Sequence, residues 1–261
     1  PEIDDVKLKD CSACKSVRYC GVECQKEHRP QHKRACKKRA AELRDELLFK
    51  QPESSHIEDC PICCLPQSLD ATKFTMTGCC CKLICNGCNY ANQVREFEAK
   101  LKRTCPFCRH PIPYTQEEGN RNLMKRVEAN DPAAIGHMGA KRREEGDYDG
   151  AFECWTKAAG LGDVGAHHNL SVMYRKGQGV EKDEKKVWHH LEEAAIGGDT
   201  FARHNLGVME GENGRPGRAV KHFIIAAKLG DDDSLEALKE HYADGFVSKE
   251  DFAAALRGHQ A

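Results

Sequence analysis

The sequence predicts a mainly α-helical protein in which two small metal-stabilised modules are followed by an α-solenoid of helix pairs. Two observations carry that prediction. Fifteen of the sixteen cysteines lie between Cys11 and Cys108, most of them in pairs two or three residues apart, and the second half holds only Cys154. That second half repeats itself instead: Ala166-His-His-Asn-Leu170 returns 36 residues later as Ala202-Arg-His-Asn-Leu206.

Two thiolates so close in sequence can turn back onto one ion, and four such ligands satisfy the tetrahedral preference of Zn²⁺. A disulfide framework fits less well, because C-x2-C pairs interleaved with His and Lys read as zinc in a reducing compartment. The expected location is therefore cytoplasmic or nuclear. At 261 residues one to three domains are expected. Charged residues make up 31% and hydrophobic ones 39%, with no apolar run long enough to cross a bilayer, so no membrane partner is expected. A formal net charge of −1 excludes a general pull toward nucleic acid. The one basic run, His32 to Arg39, reads as the solvated face of a helix.

The first module spans residues 1–50. Cys11-Ser-Ala-Cys14 is followed by Tyr19-Cys20-Gly-Val-Glu-Cys24-Gln25 and by His32-Lys-Arg-Ala-Cys36. Cys20, Cys24, His28, His32 and Cys36 fall on a four-residue step, which places neighbours on one helix face a turn apart. The pattern resembles the MYND-type zinc finger, which binds two zinc ions through interleaved pairs. The resemblance implies that Cys11, Cys14, His32 and Cys36 complete one site and that Cys20 and Cys24 are half of another. The missing pair is expected at or before the chain start at Pro1, so one complete zinc is expected here. Arg29 stands where the family carries a tryptophan, which puts the usual partner-peptide platform in doubt; His28 reads as a solvent-facing helical residue.

Gln51-Pro-Glu-Ser-Ser55 is a polar linker. The second module, residues 57–115, carries Cys60-Pro-Ile-Cys63, Cys79-Cys80-Cys81, Cys85-Asn-Gly-Cys88 and Cys105-Pro-Phe-Cys108-Arg109. This order resembles a RING finger, in which pairs one and three hold one zinc and pairs two and four the other. Bound zinc contributes about 10–16 kcal/mol in small modules, more than so short a segment's core could supply. Lys82 stands where a RING histidine is expected. The three consecutive cysteines leave open whether Cys79 pairs with Cys80 or with Cys81, and Cys64 is surplus. The resemblance further implies that Ile62 and Pro106 form an apolar contact for a ubiquitin-conjugating enzyme, and that Arg109 clamps ubiquitin onto it.

Residues 116–261 are the third module. Ala158-Ala-Gly-Leu-Gly-Asp163, Ala194-Ala-Ile-Gly-Gly-Asp199 and Ala226-Ala-Lys-Leu-Gly-Asp231 recur at 36 and 32 residues. Small alanines let helices approach and glycines end them. The pattern resembles Sel1-like repeats, relatives of tetratricopeptide repeats, with units near 132–163, 164–199 and 200–231 and a divergent capping pair at 232–258. A helix from about 117 to 129 leads in. His168 and His204 occupy equivalent positions and read as packing or hydrogen-bonding residues, His189-His190 as surface, and Cys154 as a small core residue.

These readings together predict a zinc-binding protein-interaction protein and a candidate RING-type ubiquitin ligase, with two zinc ions in the second module and one in the first. A conjugating enzyme and a client protein are the expected partners. The alternative is a non-enzymatic adaptor. A metallohydrolase ranks last among the readings, since the sequence offers no three-ligand site with an open position and an adjacent base.

Overall fold

The structure, a computed structural model, describes residues 8–259. The first seven residues of the module at 1–50, with the expected partner pair of Cys20 and Cys24, lie outside them, as do the last two of the solenoid. The chain falls into two compact units that divide between Lys50 and Gln51.

In the first unit, β1 (Lys9–Asp10) and β2 (Arg18–Tyr19) pair antiparallel and lead into the helix α1 (Val22–Leu48). Few of its side chains are withdrawn from solvent, and it is laced by short-range ion pairs: Lys26–Glu23, Lys38–Glu42, Arg39–Glu42 and Arg39–Glu46. Neighbours three and four apart on a helix face each other, so opposite charges at that spacing support a largely polar helix. Pro30 lies inside α1 and removes one backbone donor there.

The second unit opens with a short two-stranded sheet. A single 3₁₀ turn (Ala71–Lys73), capped by Asp70, precedes β3 (Phe74–Met76), which pairs antiparallel with β4 (Leu83–Cys85) in the register Thr75 to Ile84. Helix α2 (Asn86–Glu98) follows directly. Buried Glu96 on α2 accepts from the backbone N–H of Thr104 at 3.0 Å and from its hydroxyl at 2.6 Å, which ties the helix to the Cys105 loop. A carboxylate taken out of water is tolerated only with such donors.

Nine further helices complete the described residues: α3 (Gln116–Glu128), α4 (Pro132–Glu144), α5 (Tyr148–Gly160), α6 (Val164–Lys176), α7 (Glu184–Ile196), α8 (Thr200–Glu212), α9 (Pro216–Lys228), α10 (Asp232–Ala243) and α11 (Lys249–His259). The pairs α4/α5, α6/α7 and α8/α9 are the three repeats. Asp131, Asp163, Asp199 and Asp231 cap α4, α6, α8 and α10, each accepting a backbone N–H from the first turn. In the first and third pairs, a glycine on the first helix faces a large ring on the second. A Cβ on Gly139 would lie 2.7 Å from the Trp155 indole nitrogen, and one on Gly207 would lie 2.5 Å from Phe223. The apolar core follows these contacts: Ile135, Ala151, Trp155, Leu170 and Met173 in the first part, Val220, Phe223, Leu238 and Val247 in the last.

The cysteine-rich segment packs directly on the solenoid. Cys81 is buried in a cluster with Leu123 of α3 and Ala134 of α4. The linker is held too, since the His56 N–H donates to the Gly198 carbonyl at 3.0 Å and a Cβ on Gly198 would lie 2.9 Å from the Ser54 carbonyl oxygen.

Candidate metal centres

Three groups of four ligand atoms converge, each within 4.8 Å of one another: Cys11, Cys14, His32 and Cys36; Cys60, Cys63, Cys85 and Cys88; and Cys79, Cys80, Cys105 and Cys108. A Zn–S bond of about 2.3 Å sets the corners of a tetrahedron about 3.8 Å apart. The observed separations match: 3.8 Å for Cys11–Cys36, 3.9 Å for Cys63–Cys85, and 3.4 and 3.9 Å for Cys79–Cys108 and Cys80–Cys105. His32 Nε2 lies 3.1 Å from Cys14 Sγ. The donor sets and their spacing thus fit zinc.

One local backbone builds most of these corners. In Cys11–Cys14 the Cys11 N–H donates to the Val17 carbonyl and the Lys15 N–H returns to the Cys11 carbonyl, with Lys15 at φ +56°. The same turn recurs in Cys60–Cys63, with Cys64 at φ +55°, and in Cys105–Cys108, with Arg109 at φ +61°. It recurs a fourth time with Thr77 in the place of the first cysteine: the Thr77 N–H donates to Lys82 O, the Cys81 N–H donates to Thr77 O, and Cys81 sits at φ +53°. This explains the irregular pair. Cys80 takes the second-cysteine position and Cys79, one residue before, supplies the other thiol, while Cys81 occupies the left-handed corner and turns its side chain into the Leu123–Ala134 cluster. Of the residues the sequence left open, Cys81 is therefore not brought to the metal group. Cys85 and Cys88 differ again: Cys85 caps α2 and its sulfur accepts from the Cys88 N–H. A helix N-terminus favours thiolate.

The electrostatics of each group call for a cation. Cys11 is lowered to about 6 by the Cys14 N–H, His32 and the Ala13 N–H, whereas Cys36 is pushed up to about 11 by burial and by Cys11 and Cys14. At Cys60 burial opposes ionisation, but the N–H groups of Cys63, Cys85 and Ile62 bring the thiol down to about 6; half-buried Cys88 is pushed up to about 12 by desolvation and by Cys85, Cys63 and Cys60. Cys105 and Cys79 diverge in the same way, down to about 7 and strongly upward, burial opposing ionisation at both. A first thiolate forms readily and the last resists the negative charge already present, a resistance that a bound divalent ion removes.

Neighbours hold the ligands. His28, expected to face solvent, stacks on His32 with ring centroids 5.4 Å apart, and its Nδ1 lies 3.1 Å from the buried Tyr19 hydroxyl. It orients the ligand imidazole, a role that position-by-position reading of the helix missed. Cys20 and Cys24 are both exposed and, among the described residues, join no group of three ligands.

Of the residues the RING resemblance singled out, Ile62 is 41% exposed and Pro106 is buried, so Pro106 offers little surface to a partner. Arg109 is exposed, and its Nη1 donates to Asn92 Oδ1 at 2.8 Å. Asn92 is nearly buried; its oxygen also accepts from Arg95 at 3.0 Å and its amide donates to the Thr104 carbonyl at 3.1 Å. No sequence signal marked Asn92, because its partners lie up to 17 residues away.

No curated protein matches the chain. Among solved structures it is similar to a Sel1 repeat protein from Oxalobacter formigenes, with 21% identity and a TM-score of 0.49 over 66% of this chain and 71% of that one. It is also similar to c5321, a protective antigen present in uropathogenic Escherichia coli strains displaying an SLR fold, with 28% identity and a TM-score of 0.47 over 53% of this chain and 31% of that one. The MYND finger family matches residues 3–36, and the Sel1 repeat family matches residues 135–163, 164–199 and 200–231. Zinc-type ligand groups, a MYND finger at 3–36 and three Sel1 repeats over 135–231 therefore make this chain a zinc-binding protein built for contacts with other proteins.

Proposed function

We propose that the segment at 57–115 is a RING-type module that receives a charged ubiquitin-conjugating enzyme, and that the Sel1 repeats hold the client protein to be modified. The observation that supports this most is the interleaving of the cysteine pairs: the first pair groups with the third and the second with the fourth. That cross-brace requires two zinc ions here, with a third held by Cys11, Cys14, His32 and Cys36. All three sites are closed by four protein ligands, so the metal folds the chain and offers no open position for chemistry.

In this reading the client's lysine amine attacks the thioester carbonyl of the charged enzyme, and the enzyme's thiol leaves. The protein contributes positioning and no nucleophile. Ile62 supplies exposed apolar surface for docking. Arg109 presents a planar guanidinium with five donors, of which one is spent on Asn92, leaving the rest to bridge ubiquitin and its carrier. The reaction takes place in a reducing compartment, cytoplasm or nucleus.

The test is single-turnover discharge of ubiquitin from a panel of charged conjugating enzymes onto free lysine, with the zinc-loaded full chain. Acceleration is expected, and Arg109→Ala should reduce it about ten-fold or more with zinc content unchanged. Discharge that Arg109→Ala leaves intact removes the clamp.

A second reading, a non-enzymatic adaptor, is favoured by two details: Pro106 is buried, and Arg109 is already engaged by Asn92. It predicts no acceleration with any charged enzyme on fully loaded protein.

A further inference from the structure

The repeats differ at one equivalent position, and the difference leaves a cavity. The fifth residue of α6 is His168 and the fifth of α8 is His204. Each faces the aspartate that caps the next repeat: His168 Nδ1 lies 3.3 Å from Asp199 Oδ2, and His204 Nδ1 lies 3.6 Å from Asp231 Oδ1. The fifth residue of α4 is Gly136. It faces Asp163, the remaining aspartate of the series, and a Cβ there would lie 3.4 Å from Asp163 Oδ2. The imidazole that joins the later repeats is missing from the first junction.

The two aspartates respond in opposite directions. Burial works against the charge of both, yet Asp199 is held below the usual carboxylate range by His168. Asp163 is pushed above it by burial, which the Ala166 N–H and the more distant His56 and His167 offset only in part.

Packing does not fill the place of the missing ring. A cavity of about 530 Å³ opens there, between the solenoid and the cysteine-rich module, with His56, Asp59, Gly136, Trp155, Asp163 and Asn169 on its walls. The N-termini of α4 and α6 reach it, but Asp131 and Asp163 already accept their N–H groups, so an anion would meet carboxylates there. Of the other charged walls, Asp131 pairs with Arg126 and Glu58 with Lys82, and Asp59 adds a further carboxylate. Burial pulls His137 on the same wall below the usual imidazole range. Among the described residues, no basic side chain stands within ion-pair distance of Asp163.

We infer that this cavity receives a basic side chain, lysine or arginine, of the polypeptide held on the repeats, with Asp163 as its counter-charge and the side chain standing where His168 and His204 stand in the next two repeats. This rests on the reading that the repeats hold a client polypeptide.

The chain contains two tryptophans, which supply a reporter and a control. The Trp155 indole N–H donates to the Gly136 carbonyl at 3.0 Å, whereas Trp188 lies under Arg215 in another repeat. The zinc-loaded full chain, labelled with ¹⁵N, is titrated with n-propylguanidinium chloride, with the pentapeptide acetyl-Gly-Gly-Arg-Gly-Gly-amide, and with sodium chloride at matched ionic strength. Both guanidinium probes should shift the Trp155 indole resonance saturably and leave that of Trp188 in place. Affinity should fall about ten-fold or more in Asp163→Asn, which still caps α6. Binding should vanish in Gly136→His, where the introduced imidazole fills the cavity, while its Tm stays equal or rises. That last condition separates loss of binding from loss of fold.

Equal, unsaturable shifts at both tryptophans, or binding that survives Gly136→His, overturn the inference. Binding of n-propylguanidinium without the peptide also overturns it, since the site would then serve a free cation. Because neither probe is a client, failure here leaves the repeats' role as a client-binding surface standing.

Discussion

His222 lies fully buried on α9. Burial, with the charges of Arg203 and Arg218 nearby, pulls it down to about 3. The neutral imidazole is the folded form, so the unfolded chain binds the extra proton between pH 6.5 and 3. Its contribution to stability is complete above pH 6.5 and falls as the pH drops, by at most about 1.4 kcal/mol per pH unit. Urea unfolding at pH 7 and pH 5 should show a lower midpoint at pH 5, and His222→Leu should shrink the difference. An equal difference in the variant would move the effect to other groups; His190, pulled down to about 4 by burial, is the next to test. The thiols offer a second check at this scale. Cys80→Ser should lose about one equivalent of zinc by metal analysis, whereas Cys64→Ser and Cys81→Ser should retain the full complement. Most members of the three converging groups were legible in the sequence because their spacing is local, two or three residues along one turn. The choice among Cys79, Cys80 and Cys81 was not, because it depends on the backbone hydrogen bonds of Thr77. The role of His28 was hidden for a related reason: it depends on Tyr19, across the hairpin, being folded against α1.

At the scale of the element, each repeat is a pair of thirteen-residue helices, and in the first and third a glycine of one helix lies against a large ring of the other. Gly207→Ala places a methyl 2.5 Å from the Phe223 ring and should cost about 1–3 kcal/mol. Gly211→Ala, one turn further along α8, meets only Ala219 at 3.9 Å and should gain up to about 1 kcal/mol. Thermal unfolding of the two variants should therefore move in opposite directions. The repeats were readable because alanine, glycine and aspartate recur at fixed intervals, each with a local task in packing, chain reversal or capping. The substitution of Gly136 for the repeated histidine is equally present in the sequence. It gains meaning only when the helices are aligned by their caps and Asp163 is seen across from it.

For the whole molecule, contacts between distant segments decide what the parts do to one another. The packing of Cys81 on Leu123 and Ala134, and the seat of the linker on Gly198, could not be read from spacing, since neither has a periodic signature. They predict an order of events on metal removal. With a strong chelator, amides in 57–115 should lose hydrogen-exchange protection first, α3 and α4 should loosen next, and α8 and α9 should remain protected. Uniform loss of protection would mean that the zinc module and the repeats unfold as one. The four zinc-loop turns carry a further consequence. All four share the same pair of main-chain bonds, and their left-handed corners accept Lys15, Cys64, Cys81 and Arg109 alike. Each corner is thus a socket: a single codon change can install or remove a contact there while the scaffold beneath stays the same, so the metal-binding framework and whatever it recognises are free to evolve on separate clocks.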